Sequence, residues 1–256
     1  MNQETFQTFL WVMSAVALVV FIALYFVKAG YGMFRTASWG ISINNKLAWV
    51  LMEAPVFIVM FGLWGKSGAG FAVPVYFFFL LFQLHYLQRA FIFPFLRKGK
   101  SRMPVAIMAM GIVFNLLNGM MQAGGLFYFA PEGLYADGWA YLLKPHALLG
   151  VILFFAGMFI NLHSDYVIRH LRKPGDTKHY LPGKGLYRYV TSANYFGELV
   201  EWTGFAILTA SPAAWVFVWW TFANLVPRAD AIHCHYREEF GDEAVGKRKR
   251  IIPFLY

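Results

Sequence analysis

Long runs of apolar residues alternate with short polar segments along the chain. The apolar runs lie at about 6–27, 44–64, 72–96, 104–123, 141–161, 190–210 and 212–227. Most of them are long enough to cross roughly 30 Å of hydrocarbon as a helix. The pattern therefore predicts an all-α integral membrane protein with seven transmembrane helices, of which the last two are the least clearly delimited.

The first apolar run predicts a retained membrane anchor. No Lys or Arg precedes it, and Lys28 and Arg35 follow it. The run is also longer than the apolar core of a signal peptide, which spans about 7–15 residues. We expect this helix to remain in the mature chain.

Basic residues give an independent test of this layout, because Lys and Arg concentrate in cytoplasmic loops. They fall after predicted helices 1, 3, 5 and 7, whereas the opposite loops hold little beyond Lys66 and Lys144. With the N-terminus outside and the C-terminus in the cytoplasm, all of the strongly basic loops lie on the cytoplasmic side. The basic residues assigned to the cytoplasmic side are Lys28, Arg35, Lys46, Arg97, Lys98, Lys100, Arg102, Arg169, Arg172, Lys173, Lys178, Lys184, Arg188, Arg228, Arg237, Lys247, Arg248, Lys249 and Arg250.

Composition agrees with a membrane protein. Of the 256 residues, 59% are hydrophobic and only 14% are charged, which is too little polar surface for a soluble domain of this size. The net charge of +9 is explained by the basic residues of the cytoplasmic loops, which lie next to anionic membrane lipids. The charge therefore does not imply binding to nucleic acid. The single cysteine, Cys234, excludes an intramolecular disulfide. We predict one membrane domain over residues 1–256, with no metal site and no obligatory protein partner.

A polar stripe ends the fifth apolar run. Asn161, Asp165, Arg169 and Arg172 are spaced i, i+4, i+8 and i+11, so they share one face if the helix continues past the membrane. This face could bind a polar ligand. An ordinary helix end with i, i+4 ion pairs gives the same spacing, so the two interpretations stay open.

Two further polar clusters are predicted at the same membrane face. Asn194, Glu198 and Glu201 form an i, i+4, i+7 stripe inside the sixth apolar run, where each acid costs about 2.5–3.5 kcal/mol on insertion scales. Contact between helices is the alternative role for these acids. Arg228 and Tyr236 belong to a third cluster after the last run. Three clusters at one face favour a single shared site.

The N-terminal half has its own polar residues within apolar runs. Glu53 lies in the middle of "NKLAWVLMEAPVF", with Trp49 one turn before it, and Tyr86 and Arg89 interrupt the third run in "LHYLQRAFIFP". A carboxyl group at this depth is expected to be neutral or hydrogen-bonded. A tyrosine hydroxyl can donate a hydrogen bond to a substrate oxygen in an apolar pocket. A packing role for Tyr86 remains an equal alternative.

Several long strings resemble the steroid 5α-reductase family. These are "NLHSDYVIRHLRKPGD", "GLYRYVTSANYFGELVEWTGFA" and the closing "IIPFLY", while "LMEAPVF" and "LHYLQR" extend the resemblance into the N-terminal half. The resemblance implies a seven-helix membrane enzyme, with a bacterial member as the expectation. It also implies NADPH-dependent reduction of the 4,5 double bond of a 3-oxo-Δ4 steroid, in the bacterial inner membrane or the endoplasmic reticulum with the active site open to the cytoplasm.

The resemblance also assigns roles to individual residues. Glu53 and Tyr86 match the pair that binds the steroid carbonyl, and Trp49 and Arg89 fall in the steroid site. On this basis residues 1–100 contribute the steroid carbonyl site and residues 103–256 contribute the NADPH site. The positions implied to contact NADPH are Asn161, Asp165, Arg169, Arg172, Tyr180, Asn194, Glu198, Arg228 and Tyr236.

Two positions depart from the family pattern, and one common cofactor motif is missing. Met52 replaces a glutamine found before the catalytic glutamate in mammalian members, and Ile232 stands where a histidine on the cofactor side is expected. These departures concern the identity of the steroid and the fine contacts to the cofactor. No G-x-G-x-x-G follows a strand, so a Rossmann site is excluded.

Three other functions are compatible with the polar clusters. An enoyl-CoA reductase of lipid elongation keeps the NADPH face but accepts an acyl thioester. A membrane methyltransferase of the isoprenylcysteine type binds S-adenosylmethionine instead. A proton-coupled transporter uses its intramembrane acids as a relay and catalyses no reduction.

Overall fold

The computed structural model describes residues 1–28, 30, 32–34, 36–99, 101–172, 176 and 178–256. Arg35, Lys100 and Lys173, which were assigned to cytoplasmic loops, lie outside the described residues.

Most of the described chain is helical. The helices, in chain order, are α1 (Gln3–Phe26), α2 (Asn45–Ser67), α3 (Val75–Tyr86), α4 (Phe93–Leu96), α5 (Val105–Ala123), α6 (Trp139–Leu142), α7 (Pro145–Arg169), α8 (Ala193–Thr209), α9 (Pro212–Phe240) and α10 (Asp242–Val245). Two π-helical segments interrupt the regular pattern. Leu87–Ile92 joins α3 to α4, and Gly124–Tyr128 extends α5.

Short elements complete the fold. Strands β1 (Ser42–Asn44) and β2 (Arg102–Pro104) pair antiparallel, with Ile43 opposite Met103. Single 3₁₀ turns occupy Gly32–Phe34, Ala37–Trp39 and Gly185–Arg188.

Within the described part of the chain, five helical spans are long and apolar enough to cross a membrane. They are Gln3–Phe26, Asn45–Ser67, Val75–Leu96, Val105–Tyr128 and Pro145–Arg169, and they coincide with the first five predicted runs. The prediction of a helical membrane protein is confirmed to this extent. Helix α8 has only 17 residues, and α9 has 29 but becomes polar from Arg228 onwards. The count of seven spans stays a prediction.

The first compact unit comprises Met1–Met13, Ala29–Leu149 and Ala206–Phe217. Helices α2 and α5 pack along their length, and Gly119 of α5 lies directly against Val59 of α2. The β1–β2 pair joins the N-terminal ends of these two helices. Beside it, Ala48, Trp49, Phe93, Met103 and Ile107 form a buried cluster. Side chains on facing sides of α2 and α5 are therefore held in register.

The second compact unit comprises Ser14–Lys28, Gly150–Phe205 and Val218–Tyr256. Helices α7 and α8 meet backbone to backbone, because a Cβ atom at Gly157 would collide with the main chain of Glu201, and one at Gly197 with that of Asn161. Small residues permit this close approach between helices. It brings the polar ends of α7 and α8 side by side. The prediction of a single membrane domain is not tested by this division and stays a prediction.

Candidate active site

Glu53 lies on α2 and is held by an amide from α5. Its Oε2 atom accepts a hydrogen bond of 3.2 Å from Asn115 Nδ2, and the same amide nitrogen donates to the carbonyl oxygen of Met52 at 2.7 Å. Asn115 is buried, and Glu53 is half-buried. The carboxyl group predicted to be hydrogen-bonded thus has an amide donor fixed beside it.

Tyr86 is the last residue of α3 and lies at the start of the π-helical segment. Its hydroxyl oxygen accepts a hydrogen bond of 3.1 Å from Asn118 Nδ2, and both residues are buried. The rings of Phe82 and His85 pack against it, with centroids at 4.8 Å and 4.9 Å. Insertions of π-helical turns are frequent at functional sites because they redirect the following side chains. The segment ends the α-helical register directly after Tyr86.

A row of three buried amides on α5 supports both groups. Asn115, Asn118 and Gln122 are spaced i, i+3 and i+7, so they share one helix face. Gln122 Nε2 donates to the carbonyl oxygen of Ala213 at 3.0 Å. This row was not predicted from the sequence. Its signal is three amides at helical spacing inside the apolar string "NLLNGMMQ".

Trp49 and Arg89 are brought together in the first unit. The Arg89 guanidinium lies 5.0 Å from the centroid of the Trp49 ring and 4.9 Å from that of Phe93. Arg97 lies 5.2 Å from the same Trp49 ring. Contacts of this kind contribute about 0.5–2 kcal/mol each, more when they are desolvated. Two cations therefore lie close to the Trp49 ring, which is one helical turn before Glu53.

Asn194 is the centre of a hydrogen-bond network in the second unit. Asn161 Nδ2 donates to the Asn194 carbonyl at 2.9 Å, and Asn194 Nδ2 donates to Asp165 Oδ1 at 3.3 Å. The Tyr187 hydroxyl donates to Asn194 Oδ1 at 3.3 Å. Burial raises the pKa of Tyr187 well above its ordinary value, so this hydroxyl keeps its proton and acts as a donor. Three residues predicted to act together, Asn161, Asp165 and Asn194, are joined.

The basic end of α7 differs from the prediction in one respect. The helix ends at Arg169, so Asn161, Asp165 and Arg169 share a helical face, whereas Arg172 lies beyond the helix and is exposed. Among the residues that the structure describes, the buried Nη1 atom of Arg169 has no hydrogen-bond partner. A buried guanidinium nitrogen needs an acceptor, and a phosphate or hydroxyl oxygen of a nucleotide fits this requirement.

Tyr180 lies on an exposed segment. Its hydroxyl donates to Asp176 Oδ2 at 2.7 Å, and the Lys178 N–H donates to Asp176 Oδ1 at 2.9 Å. These bonds lower the pKa of Asp176, with a smaller contribution from the positive charge of Arg172. The bond to Asp176 also raises the pKa of Tyr180. Arg172 and Tyr180 thus both interact with the Asp176 carboxylate, Arg172 through its charge and Tyr180 through a hydrogen bond.

Arg228 lies on α9, one residue after Pro227. Its Nε atom donates to the hydroxyl oxygen of Tyr195 at 2.7 Å. Tyr236, two turns further along α9, is buried, and Glu198 on α8 is half-buried one turn after Asn194. Tyr195 was missed by the sequence analysis, although it directly follows Asn194 in "TSANYFGE".

A cavity of about 430 Å³ opens in the second unit. Phe159, His163, Leu186 and Arg188 are among the residues that line it. None of the nine positions assigned to NADPH is a lining residue.

Comparison with known proteins identifies the family. Residues 101–256 match the family described as 3-oxo-5-alpha-steroid 4-dehydrogenase. The bovine (Bos taurus) 3-oxo-5-alpha-steroid 4-dehydrogenase 1 is 37% identical over 247 residues, which cover 94% of this chain and 93% of the relative. The chain belongs to the 3-oxo-5-alpha-steroid 4-dehydrogenase family. It is accordingly an oxidoreductase.

Other relatives from this family extend across kingdoms. Steroid 5-alpha-reductase DET2 of Gossypium hirsutum is 36% identical over 261 residues, covering 100% of this chain and 99% of the relative. The human (Homo sapiens) 3-oxo-5-alpha-steroid 4-dehydrogenase 1 is 37% identical over 244 residues, covering 94% of this chain and 92% of the relative. Because these similarities extend over nearly the whole chain, they include the N-terminal half that precedes the matched residues 101–256.

Proposed function

We propose that this protein reduces the 4,5 double bond of 3-oxo-Δ4 steroids to 5α-reduced 3-oxo steroids with NADPH as the reductant. Membership of the 3-oxo-5-alpha-steroid 4-dehydrogenase family supports the reaction class. The observation that carries the proposal is the pair formed by Glu53 and Tyr86, each held by an amide of α5. A carboxyl group and a hydroxyl group fixed in an apolar unit are suited to one polar atom of an otherwise apolar substrate.

The chemistry explains why two donors are needed. Addition of hydride to the β-carbon of an enone places negative charge on the carbonyl oxygen, and donors that are already oriented stabilise this charge. The hydrogen bond from Asn118 uses a lone pair of the Tyr86 hydroxyl oxygen, so it does not use the hydroxyl hydrogen. Tyr86 donates to the 3-oxo group, and Glu53 donates to the same oxygen or orients Tyr86. NADPH supplies the hydride when it is bound.

Trp49 and Arg89 form part of the steroid site in this proposal. Trp49 lies one helical turn before Glu53 and contributes part of the aromatic wall of the steroid site. The Arg89 guanidinium stacks on the Trp49 ring and holds it in place. Their function is to position the steroid, whereas Glu53 and Tyr86 act on its carbonyl.

The polar residues of the second unit form the proposed NADPH site. Arg169, Arg172 and Arg228 bind phosphate groups, because arginine stays charged and offers paired donors. The buried Nη1 atom of Arg169, which lacks a partner among the described residues, supports this role. Asn and Asp side chains suit ribose hydroxyls and the nicotinamide amide. The remaining members of the proposed set are Asn161, Asp165, Tyr180, Asn194, Glu198 and Tyr236.

We further propose seven membrane-spanning helices with the N-terminus outside and the C-terminus in the cytoplasm. The five apolar spans and the alternation of basic loops support this topology. Helices α8 and α9 provide the last two spans, with their polar side chains turned away from lipid. The active site then opens to the cytoplasm, where NADPH is available, in a bacterial inner membrane or the endoplasmic reticulum. Membrane lipids are the expected surroundings, and nucleic acid has no part.

Purification in detergent followed by mass spectrometry for a retained nicotinamide nucleotide tests the proposal. The same preparation is then assayed with a 3-oxo-Δ4 steroid, an enoyl-CoA and S-adenosylmethionine. We expect retained NADP(H) and consumption of NADPH only when the steroid is added. Reduction of the enoyl-CoA alone would identify an enzyme of lipid elongation, and binding of S-adenosylmethionine without NADPH would identify a methyltransferase. A preparation that binds nucleotide but reduces neither substrate would contradict the proposed reaction.

A further inference from the structure

Three side chains of the second unit converge outside the set assigned to the nucleotide. His179 Nδ1 lies 3.0 Å from Glu239 Oε1, and His235 Nε2 lies 3.2 Å from Glu239 Oε2. One ligand atom from each of the three residues lies within 4.8 Å of the other two. Imidazole nitrogens and carboxylate oxygens are the common ligands of zinc and related ions.

The spacing of these atoms is close to that of a metal site. Ligand atoms bound at about 2.0–2.2 Å to a tetrahedral ion lie about 3.3–3.6 Å from one another. Glu239 Oε2 lies 3.3 Å from His179 Nδ1 and 3.2 Å from His235 Nε2, so this single oxygen has nearly that spacing to both imidazole nitrogens. The ligand nitrogens of His179 and His235 lie within 4.8 Å of each other. A small movement of the His179 side chain therefore brings the three ligand atoms to tetrahedral spacing.

Two of the three proposed ligands lie on one face of the same helix. His235 and Glu239 are spaced i, i+4 on α9, so both project from the same face of a rigid helix. His179 comes from the exposed segment that also carries Lys178 and Tyr180. The three side chains are between 29% and 40% exposed, so an ion can reach them from solvent and keep a bound water as its fourth ligand.

We propose that His179, His235 and Glu239 bind one divalent transition-metal ion of the zinc class. Two imidazoles and one carboxylate form a three-ligand set with an open position, whereas magnesium and calcium prefer oxygen ligands throughout. The ion fixes the segment around His179 to α9. No metal site was predicted from the sequence, because His179 is far from His235 along the chain and only the fold brings them together.

Zinc binding to purified protein without a histidine tag tests the proposal. The full chain is stripped with a chelator and dialysed against Zn²⁺, and bound metal is measured by elemental mass spectrometry. Co²⁺ then serves as a spectroscopic probe of tetrahedral coordination. We expect about one zinc per chain, because a preformed three-ligand site binds a single ion. Failure of the parent protein to bind either ion would overturn the proposal.

Single variants assign the binding to these residues. His179→Gln, His235→Gln and Glu239→Gln should each weaken zinc binding by about tenfold or more, since loss of even an outer-shell group weakens metal sites by about 10–100-fold. Glu238→Gln and His170→Gln are matched controls. Glu238 is the exposed neighbour of Glu239, and His170 is an exposed imidazole bonded to the Tyr166 carbonyl. Equal weakening in the controls would overturn the assignment.

Proteolysis provides a readout that does not depend on the proposed reductase activity. Trypsin cleaves after Lys178, which is exposed and precedes His179. Zinc should slow cleavage at Lys178 in the parent and in Glu238→Gln, but not in Glu239→Gln. An altered elution volume in chelator would show that a ligand variant does not fold. In that case the rate of cleavage at Lys178 in the parent, with and without zinc, tests whether the ion fixes the segment. Unchanged cleavage in the parent would contradict fixation of the segment.

Discussion

The buried Asn118 amide donates a hydrogen bond of 3.1 Å to the hydroxyl oxygen of Tyr86. An amide NH₂ group can only donate, so the tyrosine oxygen is the acceptor in this contact. The direction of the bond matters for the proposed role of Tyr86 as a donor to the steroid carbonyl. A hydroxyl group that accepts from one neighbour is polarised, and its own hydrogen becomes a better donor.

Tyr86→Phe tests the proposed donor. The change removes one hydroxyl and almost no volume, so a packing role predicts near-parental activity. A donor to the steroid carbonyl predicts that kcat falls by about 10²-fold or more, with the KM for NADPH little changed. Steady-state kinetics with a 3-oxo-Δ4 steroid measure both quantities. Near-parental turnover with retained nucleotide would assign Tyr86 to packing, and His85 would be the next candidate donor.

Asn118→Leu tests whether the amide acts through Tyr86. We expect kcat to fall by about tenfold, because Tyr86 loses the bond that orients and polarises its hydroxyl group. In the Tyr86→Phe background the same change should have little further effect, since the bond is already absent. A loss that is multiplicative in the double variant would instead indicate a structural effect of Asn118 on α5. Circular dichroism confirms that the variants remain helical.

Glu53→Gln separates hydrogen bonding from acidity. The variant keeps the size and a donor but loses the acid, and its amide oxygen can still accept from Asn115. If Glu53 only orients a donor, activity should fall by about tenfold or less. If the acid itself is required, the loss should approach that of Tyr86→Phe. Parental activity would show that Glu53 does not act on the carbonyl.

The sequence predicted the five apolar helices because hydrophobic length is a local property of the chain. Asn161, Asp165 and Asn194, which hydrogen-bond to one another in the structure, were also candidates from the sequence, since polar residues at helical spacing are conspicuous in apolar runs. It missed Asn115 and Asn118 as supports for Glu53 and Tyr86. Their role depends on which face of α5 packs on α2, and that is decided by close contacts such as Gly119 with Val59.

Breaks in the helical hydrogen-bonding pattern could also not be predicted from the sequence. The π-helical segment Leu87–Ile92 contains Gln88 and Arg89, which interrupt the apolar run but give no local signal for a change in backbone hydrogen bonding. The shared face of Asn161, Asp165, Arg169 and Arg172 was conditional on a helix that continues past the membrane, and α7 ends at Arg169 instead. Local spacing predicts neighbours within a helix, but not where the helix ends.

Arg172→Ala tests the phosphate contact. Because Arg172 lies beyond the helix end and is exposed, it can reach an anionic group without disturbing the fold. A charge-assisted hydrogen bond contributes about 1.5–3 kcal/mol, so the KM for NADPH should rise by about tenfold or more. The steroid KM should change little, and the preference for NADPH over NADH should narrow. Lys184→Ala, which removes an exposed charge outside the proposed set, is the matched control. Equal NADPH titrations for both variants would contradict the assignment.

The topology proposal can be tested at Cys234, the single cysteine of the chain. Because Cys234 lies on α9 beyond Arg228, we expect an impermeant thiol reagent to label it in inside-out vesicles but not in intact cells. Gln3→Cys in a Cys234→Ser background should show the opposite accessibility, because residue 3 begins α1 and is exposed. Labelling of Cys234 in intact cells, with a cytoplasmic control protein unlabelled, would place the C-terminus outside. That result would require either an even number of spans or seven spans in the opposite orientation. In the inverted protein the basic loops would lie outside, which the positive-inside rule disfavours.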